Sequence, residues 1–479
     1  MSATAYDTAW VARVPKPGTL DEPLFPAAYD WLLQNQHADG SWGAEIPFAH
    51  DRVISTLAAL VTLARTGYRQ DESGLAARRA VVYLNRERLD LHNDPAETVG
   101  FELLLPELAR QAQEIGLSLP YDDWAFVEAI KADKLRRIPP IAVYGGPTPL
   151  THSLEYLGDH LVPALIARCR SGNGSFGSSP SATAYAYTRV PNDEALQYLE
   201  RTSKIHPSHG FTYLHPFENF ETAWVLDALR PLIENEPLAE SRLDRLERAW
   251  TAMGQAWSNE CEIPDGDDTA VSLYLLSRYG RARGTEIFEL FETPDYFQTF
   301  VFERNPSVTT NAHILYALRQ FSGSPDRRRM IVKIVSYLNA ARGGKPYWDD
   351  KWHASPFYAT NRALLALSGV AGELVRPAVD WIVSQQHEDG SWGAAGGTNE
   401  ETAWAVNALI AVSREDAGIV STVRPPIESA SVYLRDRMDS TDHPALWIGK
   451  GLYSAPSIVR AVILGALANA DALGAGTLT

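Results

Sequence analysis

Residues 264–270 read Pro-Asp-Gly-Asp-Asp-Thr-Ala, so three carboxyls, Asp265, Asp267 and Asp268, fall within four positions just ahead of an apolar helical pattern. Buried together, three acids cannot all ionise, because each charge raises the cost of the next. At least one should keep its proton at neutral pH and serve as an acid. Protonating a carbon–carbon double bond, a very weak base, requires such a group. Pro264 and Asp265 also read as a helix start, where unpaired backbone N–H groups favour ionised carboxylates. That field strengthens a protonated neighbour as an acid and makes its reloading harder. Helix capping by Asp is the plain alternative for the same residues.

The elements that must position these acids are helical. Arg52 to Leu63, Ala76 to Leu84, Glu221 to Leu232, Leu243 to Trp257, Asp268 to Tyr279, Ala312 to Phe321, Met330 to Leu338, Arg376 to Ser384 and Glu401 to Val412 repeat apolar residues three or four apart. Strand-like alternation is scarce, and Gly, Pro, Asn and Asp clusters separate the helices. The fold class is therefore all-α, built of helix hairpins. Gln36 to Gly43 (QHADGSWG) and Gln386 to Gly393 (QHEDGSWG) repeat one turn, with a worn copy at Asn173 to Gly177. A helix start follows each, and Glu221-Thr222-Ala223-Trp224 echoes the last. Such repetition predicts hairpins stacked in a ring or solenoid, with Trp or Phe plugging the gaps between them.

With 479 residues, two domains are expected. No apolar run long enough to span a bilayer stands out, and Met1 to Pro15 lacks the pattern of a signal peptide. Cys169 and Cys261 are the only cysteines, which suggests reduced thiols in the cytoplasm. The net charge of −16 argues against nucleic acid as a partner and requires a local cationic patch for any anionic substrate.

Motif islands in order along the chain carry a family resemblance. They are Ala5-Tyr6-Asp7-Thr8-Ala9-Trp10-Val11-Ala12, the QHADGSWG turn, Lys134-Leu135-Arg136-Arg137-Ile138-Pro139, Leu150-Thr151-His152-Ser153-Leu154-Glu155, the Asp265 to Asp268 cluster, Asp350-Lys351-Trp352-His353 and Leu446-Trp447-Ile448-Gly449-Lys450. With them the chain resembles bacterial class II diterpene cyclases of the copalyl and halimadienyl diphosphate synthase type. The resemblance implies two α/α barrels with the active site between them. Residues from about 1 to 25 would join about 226 to 479 in the acid-bearing barrel, and about 26 to 225 would form an inserted one.

The same resemblance implies roles. Asp267 would be the general acid, with Thr309 and Asn311 as candidates to hold its proton on the outward lone pair. His152 matches a histidine that, with an asparagine, holds a basic water in plant relatives; Tyr213 stands where that asparagine is expected. His152 is thus a base or water-holder, a partner of Tyr213, or a satisfied interface histidine. Lys134 matches a diphosphate-binding lysine, Lys351 is a weaker candidate, and Arg230 precedes Pro231 where the family has an arginine. Each has a solvated surface charge as its alternative. Trp257, Trp348, Tyr347 and Phe357 could face a migrating cation or pack the core. Asp94 and Glu97 form a diluted acidic run that could take Mg²⁺ together with substrate phosphates.

The expected reaction is cyclisation of geranylgeranyl diphosphate to a bicyclic C20 diphosphate. No Asp-Asp-x-x-Asp site of ionising synthases is evident, so the diphosphate would be kept and a separate ionising synthase would consume the product. Stable membrane insertion is not expected. A squalene-type triterpene cyclase, a drimenyl-type cyclase acting on farnesyl diphosphate, and a non-catalytic α/α-barrel binding module are the competing readings. Lys134 in its Ile-Pro context favours a phosphorylated substrate, and a binding module has no use for three buried acids.

Overall fold

The computed structural model describes residues 1–19, 22–86, 91, 97–139, 141–233, 236–261, 263–281, 283–301, 303–322 and 325–474. They form two units, and helices dominate both. Unit 1 comprises Met1–Pro216, Glu260–Ile263 and Pro444–Ser454; unit 2 comprises Phe217–Asn259, Pro264–His443 and Ala455–Thr479.

In unit 1, helices Ala5–Ala12, Ala49–Arg65 and Phe101–Glu114, the 3-10 stretch Pro149–His160 and helix Pro180–Arg189 pack each against the next, and the last returns to the first. This is a closed inner ring. Pro26–Gln34, Gln70–Arg86, Phe126–Arg137 and Asp193–Thr202 pack onto its members as outer helices. In unit 2 the inner ring runs Glu218–Ile233, Gly266–Arg278, Val308–Leu318, Pro356–Leu367, Asn399–Glu415 and Pro456–Gly474, closing back on Glu218–Ile233. Each unit is thus an α/α barrel, as expected.

The expected division of the chain is corrected. Residues 1–25 belong to unit 1, and that unit extends to Pro216 and takes in the segments 260–263 and 444–454. The reason is ring closure. All eight residues of Ala5–Ala12 are buried, and this helix bridges Ala49–Arg65 and Pro180–Arg189. Pro456–Gly474 needs a second correction. By length and composition its 19 residues, with a mean hydropathy of 1.4, could cross a bilayer. In the fold it seats between Glu218–Ile233 and Asn399–Glu415, and ring closure accounts for its apolar character.

The repeated turns brace the hairpins. The indole N–H groups of Trp42, Trp348 and Trp392 donate to the carbonyls of Leu32, Leu338 and Ile382 at 2.7–2.8 Å, ten residues earlier in each case. Their backbone N–H groups donate to Thr56, Thr360 and Thr402 on the following inner helix. Phe176 with Thr183 and Gln255 with Thr269 repeat the clip. In one hairpin the clip is an asparagine: Asn311 accepts from the Phe297 N–H at 2.9 Å and donates to its carbonyl at 2.8 Å. Trp348 is therefore a brace, and Asn311 does the work of the threonines in its sister hairpins.

Asn311→Ala should leave a buried N–H and carbonyl unpaired and cost about 1–3 kcal/mol for each group stranded. Denaturant unfolding measures the loss, and Asn311→Thr, which restores the sister clip, should recover most of it. Equal stability of the alanine variant and the parent would contradict the bracing role.

Candidate active site

The acid cluster lies at the start of helix Gly266–Arg278 in unit 2. Asp265 caps that helix, its Oδ1 accepting the backbone N–H groups of Asp267 (2.9 Å) and Asp268 (2.8 Å). The capping alternative is thus correct for one of the three acids. Gly266 sits between them because its N–H bonds the Thr299 carbonyl, and a Cβ there would lie 2.6 Å from the Gln298 carbonyl oxygen. The loop is held too close for any side chain at this position.

All three acids are buried. Burial pushes the Asp265 and Asp268 carboxyls up; the charge of Asp267 adds to both shifts and that of Asp265 raises Asp268 further, while hydrogen bonds from Asp268 hold Asp265 back. Their side chains bond one another, so a proton is retained on this pair. Asp268 Oδ1 has no hydrogen-bond partner among the described residues.

Asp267 is held differently. Its Oδ1 lies 2.6 Å from Nδ1 of His313 on helix Val308–Leu318. His313 is buried, its Nε2 lacks a partner among the described residues, and its ring meets Trp224 edge-to-face at 5.5 Å. Trp224 donates its indole N–H to the Tyr358 hydroxyl at 3.0 Å, and Tyr358 packs edge-on against Trp404. The acid's neighbour is thus backed by aromatic rings.

Thr309 and Asn311 place their side-chain hydrogen bonds on partners other than Asp267. The Thr309 hydroxyl donates to Asp350 Oδ2 at 2.9 Å, while Asp350 Oδ1 accepts the Thr309 N–H and the Ser307 hydroxyl. Asp350 therefore braces the start of the helix that carries His313. Sequence reading missed His313, although a signal existed. Thr309, His313 and Tyr316 are spaced four and three apart and share one helix face, whereas Asn311, two residues from Thr309, points elsewhere.

The expected substrate contacts fare unevenly. Arg230 is engaged by Asp227 on its own helix, stacks 5.1 Å from the Tyr274 ring and bonds the Tyr274 hydroxyl. Asp227 in turn pairs with buried Arg362 at 2.6 Å. Arg230 is thus held in an ion-pair network within unit 2. Lys351 pairs with Glu303 and the Asn305 carbonyl. Trp257 is buried, packs edge-on with Phe300 at 6.0 Å and has an indole N–H without a partner among the described residues. Tyr347 and Phe357 both pack on Trp381.

In unit 1, Lys134 pairs with Glu102 at 2.5 Å. His152 is buried, and its Nδ1 lies 2.8 Å from the Gly177 carbonyl, which can only accept. Nδ1 therefore carries the hydrogen, and Nε2 presents a lone pair with no partner among the described residues. Burial, reinforced by Lys450, lowers this imidazole to a pKa of about 3, so it is neutral. Tyr213 meets His152 by ring contact, edge-on at 4.8 Å, and stacks on Tyr453 at 5.5 Å. Asp94 lies outside the described residues. Glu97 is half-buried, and Glu102 beside the run is taken by Lys134. Among the described residues no three histidines, cysteines or acids gather as a metal site.

Comparison with known proteins agrees with this geometry. The family model of the squalene-hopene cyclase C-terminal domain matches residues 298–423. A type B diterpene cyclase of Mycobacterium tuberculosis (strain ATCC 25618 / H37Rv) is 34% identical over 98% of this chain and 96% of its own. Ent-copalyl diphosphate synthase 2 of Zea mays, a chloroplastic protein, is 35% identical over 64% of this chain, but only 38% of its own length is matched. The solved ent-copalyl diphosphate synthase from Streptomyces platensis superposes with a TM-score of 0.80 at 27% identity, covering 98% of this chain and 96% of that one. A full-length relative above 30% identity, a matching fold and a buried acid cluster at a helix start together place the chain: it belongs to the class II diterpene cyclases.

Proposed function

We propose that this enzyme protonates the terminal alkene of geranylgeranyl diphosphate and closes it to a bicyclic C20 diphosphate of the copalyl or halimadienyl type. The observation that carries the reading is Asp267, buried between two proton-sharing carboxyls and held through Oδ1 by His313. Asp267 gives its proton to the alkene, whose π electrons form the new C–H bond and leave a tertiary cation. The electron pair of the broken O–H bond stays on the carboxylate. An Nδ1–H from His313 stabilises that carboxylate, and a hydrogen bond to a charged group is worth about 1.5–3 kcal/mol. Asp265 is occupied by its capping bonds and Asp268 by Asp265, which supports the reading of Asp267 as donor.

The internal double bonds then attack in turn and close the rings. The last cation loses a proton from a neighbouring carbon, and the C–H electron pair becomes the new double bond. His152, neutral with a free Nε2 lone pair, is the proposed acceptor, directly or through a water. Lys134 is the proposed diphosphate partner, with the substrate competing with Glu102 for it. Mg²⁺ as a shield for the diphosphate, near Glu97 and Asp94, belongs to the same proposal, as does a cytoplasmic setting. The product still carries an ionisable diphosphate, so an ionising synthase is its expected consumer.

Purified protein with Mg²⁺ should convert geranylgeranyl diphosphate to a bicyclic alcohol after phosphatase treatment, in preference to C15 and C30 prenyl substrates. Failure to convert any of them sinks the reading. Asp267→Asn should lower kcat by about 10³-fold or more, and His313→Phe by about 10²-fold, with circular dichroism unchanged in both. EDTA should slow turnover and added Mg²⁺ should restore it; an EDTA-insensitive rate would remove the ion from the proposal.

A further inference from the structure

Three sequence islands far apart in the chain meet in unit 1 around Lys450. This lysine sits at the turn of a short hairpin, Trp447–Ile448 paired with Leu452–Tyr453, and its ammonium is wholly excluded from water. An ammonium has three N–H bonds, and here all are used: on Glu155 Oε1 at 2.7 Å, Ser179 Oγ at 2.8 Å and Ser181 Oγ at 2.7 Å. Ser181 passes its own hydrogen to Asp7 Oδ1 at 2.6 Å, and Thr4 donates to Asp7 Oδ2 at 2.8 Å.

The two serines belong to the turn that touches His152. Gly177 and Ser178 both adopt left-handed backbone, with φ of 58° and 55°. A Cβ on Gly177 would lie 2.6 Å from the backbone nitrogen of His152, so glycine allows the close approach that brings its carbonyl to Nδ1. The Ser178 carbonyl is pinned by the Tyr198 hydroxyl at 2.9 Å and the His215 N–H at 2.8 Å. A non-glycine residue in this region carries strain, and it persists only where surrounding contacts hold it.

We propose that Lys450 is a positioning residue for His152: by gripping Ser179 and Ser181 it fixes the turn whose Gly177 carbonyl takes the Nδ1–H, leaving Nε2 as an open lone pair for the proton lost in the final step. This rests on the reading of His152 as the proton acceptor. The charge of Lys450 also repels a proton from the ring, in the same direction as burial. The other groups around the imidazole are the Tyr213 ring at 4.8 Å, with its phenol pushed well above its ordinary range by burial, Tyr453 stacked behind it, Glu155 on the same segment, and Asp7 beyond Ser181. Burial raises Asp7 to about 6, so it is the one competing source of pH dependence among them.

The test is the ratio of alkene to hydroxylated bicyclic products from geranylgeranyl diphosphate between pH 6 and pH 8. It compares the wild type, His152→Ala, Lys450→Gln and the double variant, each checked for folding by circular dichroism. The wild-type ratio should be flat. In Lys450→Gln the released turn should admit water to the imidazole, relieving the burial that chiefly lowers its pKa together with the lysine's charge; a ring relieved to its ordinary value near 6.5 makes the ratio fall about fourfold from pH 8 to pH 6 as the neutral base is depleted. The double variant should be flat again. A slope that persists without His152 belongs to Asp7 and overturns the proposal, as does a folded Lys450→Gln with a flat ratio. If His152→Ala leaves the products unchanged, the acceptor reading itself fails, which is a separate outcome. Should Lys450→Gln not fold, Ser181→Ala, which removes one of the three acceptors, decides by the same slope.

Discussion

A carboxyl stays an acid inside a barrel only when its neighbours leave it no cheaper state. That constraint runs through unit 2. Asp265 spends one oxygen on two backbone N–H groups, Asp268 shares a proton with Asp265, and Asp267 is left with His313. The arrangement works because Gly266 lets the loop close against Gln298 and because Asp350 starts the His313 helix at a defined point.

Unit 1 answers the same constraint with opposite charges. Lys450 is buried against Glu155 and reaches Asp7 through Ser181. A buried charge is tolerable when every donor finds an acceptor, and Lys450 meets that condition with three bonds. The cluster joins the first helix of the chain to its penultimate segment, which is why residues 1–12 and 444–454 belong to one unit although more than 400 positions separate them. In unit 2 Arg230 and Arg362 are both paired with the buried Asp227.

The braces show how repetition and chemistry divide the residues. Trp42, Trp348 and Trp392 make the same pair of contacts in three hairpins, so none needs a ligand to explain it. Asn311 differs from the threonines of its sisters only in residue type. A departure of that kind invites a functional reading, and the geometry shows that it is still a clip. His313 follows no such repeat, and it is the residue that meets the acid.

Much was legible in the sequence because it depends on local rules. Helical spacing, the Asp-Gly turns with their Trp plugs and the Pro-Asp-Gly-Asp-Asp helix start are all short-range patterns, and from them the all-α barrels, the bracing turns and the acid cluster could be read. What could not be read was which side chain faces which across a ring. The pairing of His313 with Asp267, of Asp350 with Thr309, of Arg230 with Asp227 and Tyr274, and of Lys450 with Glu155 depends on ring closure and on helix rotation. A shift of two residues along a helix turns a side chain by more than half a circle, so neighbours in sequence such as Asn311 and His313 part company. Tertiary packing alone decided which of them would hold the acid.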